Sequence, residues 1–70
     1  MTTETLADAL PREMARVRDK VMPAYVAIGA PGMLALMLMR RSLDLAAKAM
    51  ADGNTVEMLA AYSDLKGYHV

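Results

Sequence analysis

From Val21 to Met39 the chain runs nineteen residues without a charged side chain, and Gly29-Ala30-Pro31-Gly32 stands at the centre of that run. By length and hydropathy such a stretch could span a bilayer as one helix of about 20 residues. The central residues oppose this: glycine permits a left-handed helix end, and proline cannot continue a helix but can begin one. The run therefore predicts two apolar arms joined by a reversal, with the arms packed on each other.

Periodicity gives those arms a face each. In the first, Leu10, Met14, Val17, Val21, Ala24 and Ile28 step by four and three, one apolar stripe of a helix predicted over residues 11–28. Pro11 suits a first helical position, which leaves residues 1–10 as an N-terminal arm; because Ala7 extends the stripe backward, the alternative is a preceding turn of helix over residues 3–9 with Pro11 marking a bend or a break. Pro23 removes the amide that would bond to the carbonyl of Asp19, so a kink or an early helix end is expected there. A second helix is predicted over residues 31–51, where Leu36, Met39, Leu43, Ala46 and Met50 repeat the spacing. Gly53 and Asn54 then mark a helix end and a new N-cap, with Glu57 three residues on, and a third helix runs over residues 55–66. Residues 68–70 form a tail. β-branched residues are few and do not alternate with polar ones, so no strand is expected. The fold class is all-α: a single domain over residues 1–70, a helical hairpin of two long helices plus a short third one.

Size and composition turn this into an expectation of assembly. A chain of 70 residues buries only about 60% of its unfolded surface, and this one has no cysteine and a single histidine with which to staple itself. The run Met33-Leu34-Ala35-Leu36-Met37-Leu38-Met39 is apolar on every side of a helix, and such a helix has to be covered on every side. The bundle is therefore expected to be completed by oligomerisation, a homodimer being favoured. Its self-association seam would be Met14, Val17, Val21 and Ile28 facing Leu36, Met39, Leu43 and Met50, within or between copies.

Charge is balanced overall, eight basic against eight acidic residues, but it is not evenly spread. Residues 12–41 carry a net +4, while the segments on either side carry −2 each. A reversal at residues 29–32 would bring Arg18 and Lys20 level with Arg40 and Arg41, a basic collar below the apolar tip. These four are the candidate contacts for phosphate, an acidic partner or lipid head groups. The plainer alternative is a solvated face relieved by Asp19 and Asp44, since surface charge clusters are individually weak.

Other functions find little footing. Ser42 and Ser63 have only His69 near the end of the chain as a base, so no catalytic site is expected. A zinc site would need several Cys or His ligands, and no glycine-rich phosphate loop occurs, so neither metal nor cofactor is expected. A DNA-reading helix should present polar and basic side chains; the second helix begins apolar and the third carries Glu57 and Asp64. Met1 to Leu10 lacks the positive region of a secretory signal, which points to the cytoplasm. The residues favour a non-enzymatic interaction protein, an adaptor, regulatory subunit or inhibitor. The alternatives are a membrane-associated apolar hairpin or a weak nucleic-acid binder acting through the collar.

Overall fold

The computed structural model describes residues 4–69; the first three residues of the expected N-terminal arm and the last of the tail lie outside them. The described residues form an all-α structure with no strand among them. Helix α1 is Leu6–Arg16, a π-helical turn follows at Val17–Val21, and α2 is Met22–Ile28, the three running on without a break. A short 3-10 turn at Ala30–Gly32 leads into α3, Met33–Asp52, and α4 is Thr55–Lys66.

The first helix begins earlier than Pro11 suggests. Thr5 starts it, with the Asp8 carboxylate accepting hydrogen bonds from the Thr5 hydroxyl at 2.9 Å and its backbone N–H at 3.4 Å. Pro11 then lies inside α1 on an exposed position, where its missing amide forfeits a single bond to the carbonyl of Ala7. Pro23 neither ends the helix nor stands at a simple kink. The turn before it widens to the π form, so that the Met22 N–H bonds to the carbonyl of Val17, and the mismatch created by the proline is taken up one turn upstream.

The reversal at residues 29–32 is tight. Gly29 has φ +86°, a value that side chains other than glycine's rarely accept, and Gly32 lies so close to α2 that a Cβ there would sit 2.5 Å from the Tyr25 carbonyl oxygen. The second break is a paired cap: Gly53 and Asn54 donate to the carbonyls of Met50 and Ala49, closing α3, while the Asn54 side chain accepts from the Glu57 N–H at 3.1 Å and opens α4.

Helix α3 packs on α4 and α2, and α4 packs on α1. The core between them consists of Leu10, Val17, Val21, Met39, Ala46, Ala61 and Leu65, with Met14, Leu43, Met50 and Met58 among the half-buried side chains around it. This core is small for the chain that surrounds it. The radius of gyration is 12.7 Å, where a compact domain of this length has about 11 Å. The exposed surface is 4832 Å², against about 4,300 Å² for a compact monomer of the same mass. The shortest principal axis is 15 Å. Among the described residues nine large apolar side chains remain half or more exposed.

Candidate interaction surface

Sequence periodicity nominated eight residues for self-association, and the structure distributes them over three environments. Val17, Val21 and Met39 are buried at 0, 0 and 1% exposure within the chain's own core, out of reach of a second copy. Met14, Leu36, Leu43 and Met50 are half-buried, all but Leu36 packed against that core. Ile28 is exposed, because α2 ends there and the chain turns away before anything packs over it. The matched stripes thus meet largely inside one molecule.

Large apolar side chains stay uncovered in two regions: Leu45, Val56 and Leu59 on α3 and α4, 52 to 77% exposed, and a larger set near the reversal. Val26, Ile28, Met33, Leu34, Met37 and Leu38 are between 50 and 68% exposed. Successive helix positions are about 100° apart, so Met33, Leu34, Met37 and Leu38 cover the whole outward arc of the first turns of α3, while Ala35 and Leu36 turn inward. Single exposed apolar side chains are ordinary, but six within thirteen residues of one another exceed what scattered exposure gives, and contiguous apolar surface of several hundred Å² marks interaction sites.

The basic residues bracket the uncharged run in sequence, Arg18 and Lys20 before Val21 and Arg40 and Arg41 after Met39. Arg18 and Arg40 are brought together on the rim of a groove of about 400 Å³ that also holds Met14, Met22, Leu43, Asp44 and Ala47. Lys20 and Arg41 are exposed outside that groove, and no carboxylate lies within ion-pair distance of Lys20, Arg40 or Arg41 among the described residues. Arg18 differs. Its guanidinium donates to the neighbouring Asp19 carboxylate at 2.9 and 3.2 Å and holds that carboxyl below the usual carboxylate range. That pair is close to neutral, so the effective charge here comes from Lys20, Arg40 and Arg41.

A second groove, about 440 Å³, runs between α3 and α4. Leu45, Ala60 and Ala61 give it an apolar floor, with Lys48 on one wall and Glu57 and Asp64 on the other. Lys48 is also held by Asp52 at 2.7 Å, which raises its pKa.

One arrangement has no counterpart in the periodicity. The Arg16 guanidinium donates to the carbonyls of Tyr68 and Leu65 at 2.9 and 3.0 Å and to the Glu13 carboxylate at 2.8 Å. Beyond it the Tyr68 hydroxyl bonds to the buried Ser42 hydroxyl at 2.9 Å, and the Tyr25 hydroxyl donates to the carbonyl of His69 at 3.5 Å. The C-terminal turn is thereby fastened across α1, α2 and α3. Among the described residues there is no group of three potential metal ligands, and no helix is long and apolar enough to cross a membrane. The uncharged run is divided between α2 and α3.

Comparison with known proteins adds no relative: the chain matches no family model, no curated protein and no solved structure.

Proposed function

We propose that this is a non-enzymatic interaction protein, an adaptor or regulatory module that works by docking its apolar end onto another molecule. One observation carries this reading: six large apolar side chains, Val26, Ile28, Met33, Leu34, Met37 and Leu38, stand exposed around a single reversal with no charge from Val21 to Met39. Methionine and leucine on a helix end form an adaptable contact surface, and keeping them uncovered in a small domain has a stability cost that a docking role accounts for. The test uses Nile red, a neutral dye that brightens in apolar surroundings. The folded protein is expected to enhance its fluorescence, and Leu34→Asp with Leu38→Asp to remove most of the enhancement while the helical circular dichroism stays within a tenth of the parent's, since both side chains project into solvent. Silence of the dye towards the parent protein would mean that the end is already covered.

Self-association has a separate support, the groove between α3 and α4. Its opposite walls carry opposite charges, so a two-fold pairing would set Lys48 of each copy against Glu57 or Asp64 of the other, closing Leu45 and the small floor residues into a four-helix core. On this reading the two long helical segments form an antiparallel hairpin and α4 offers its outer flank to the second copy. Light scattering across a hundredfold dilution is expected to give twice the 7.6 kDa chain mass at the concentrated end, and Lys48→Glu to return a single chain. A mass of one chain at every concentration rules the pairing out.

A further inference from the structure

We propose that the apolar end docks on an anionic lipid surface, inserting the side chains around residues 26–38 to the depth of the head groups while the neighbouring basic residues face the phosphates. This rests on the docking reading above and names the occupant. The argument is one of charge and shape. Between Lys20 and Asp44 the chain has no acidic residue, and Lys20, Arg40 and Arg41 flank the apolar end without an ion-pair partner among the described residues. Of the neighbouring acids among the described residues, Asp19 is engaged by Arg18, and Asp44 lines the groove with Arg18 and Arg40.

A second copy meeting this end face to face would bring two such basic sets together with one Asp44 from each to offset them, so the charge favours an anionic occupant. None of the six exposed side chains lines either of the two grooves described above. Insertion to the head-group boundary needs an apolar face bordered by basic side chains and not a spanning helix, in keeping with the division of the uncharged run into two helices.

The experiment is co-sedimentation of the full chain with vesicles of phosphatidylcholine alone or mixed with phosphatidylglycerol. Each basic side chain near an anionic surface is worth about a fivefold factor, so three give on the order of a hundredfold tighter binding to the mixed vesicles, falling as salt is raised. Lys20→Gln with Arg40→Gln and Arg41→Gln is expected to remove that preference while leaving Nile red fluorescence as in the parent. Leu34→Asp with Leu38→Asp abolishes sedimentation with either vesicle. Because the chain has no cysteine, a fluorophore on Met33→Cys should shift to the blue on binding, and one on Val56→Cys should not.

Failure to sediment with the mixed vesicles, with dye binding intact, overturns the lipid proposal and leaves the docking reading standing. Loss of both overturns the two together. Equal binding to both vesicle types, unaffected by Lys20→Gln with Arg40→Gln and Arg41→Gln, overturns the anionic assignment. A discrete two-chain species in which dye fluorescence falls as concentration rises makes a second copy the occupant and also overturns it.

Discussion

Replacing Leu65 by alanine is expected to lower the unfolding free energy by about 3 kcal/mol, with a cavity left where the side chain was. Leu65 is fully buried, and with Ala61 it is the part of α4 enclosed in the core, while Met58 and Tyr62 pack half-buried against it. On the other side stand Leu10, Val17, Val21 and Met39, so its removal uncouples α4 from both long helical segments at once. A domain this small starts near the lower end of the usual range, about 5 kcal/mol, and would keep little of it. The melting temperature should drop by on the order of 15 °C. Urea unfolding followed by circular dichroism reads this as a lower midpoint at unchanged slope. The same change at Leu59, six positions earlier on α4 and 54% exposed, should cost less than about 0.5 kcal/mol. Comparable losses at the two sites would mean that the side of α4 assigned to solvent is in fact packed.

That contrast marks where periodicity stops being informative. Both leucines lie within the apolar pattern of the third helix, and the sequence places Met58, Leu59, Tyr62 and Leu65 on one face; in the structure Leu59 falls outside the buried arc, as a short helix touching two neighbours covers only part of its girth. The all-α class was legible because residues 29–32 and 53–54 carry turn chemistry that no helix interior tolerates. Spacing also brought Val17, Val21 and Met39 onto buried faces, but it could not say whether the chain or a second copy would bury them. The turn at Val17–Val21 was beyond reach for a different reason. Proline has two responses to a lost amide, a bend at its own position or a widened turn before it, and they have the same sequence. The exposed end was legible in outline from the apolar run over Met33 to Met39, since no arrangement of two neighbours encloses every side of a helix.

Least legible was the fastening of the C-terminal turn, where Arg16 reaches residues about fifty positions away. Replacing Arg16 by alanine is expected to cost about 2 kcal/mol, because three charge-assisted hydrogen bonds are lost and the last carbonyls of α4 lose the cation placed at the negative end of the helix. The side chain is 31% exposed, and water compensates part of the loss. Lysine should restore less than half: a single ammonium on a flexible stem cannot reproduce the fork that reaches two carbonyls and the Glu13 carboxylate together. The Tyr68 hydroxyl offers the discriminating comparison. Tyr68→Phe leaves the Ser42 hydroxyl, at 6% exposure, without its partner, for about 1 kcal/mol on its own. If both contacts hold one segment down, the second substitution adds little once the first has released it, and the double variant should be more stable than the sum of the single losses predicts by at least about 0.5 kcal/mol. Strict additivity would show that Arg16 and Tyr68 stabilise the molecule independently, and that the C-terminal turn stays in place when either one lets go.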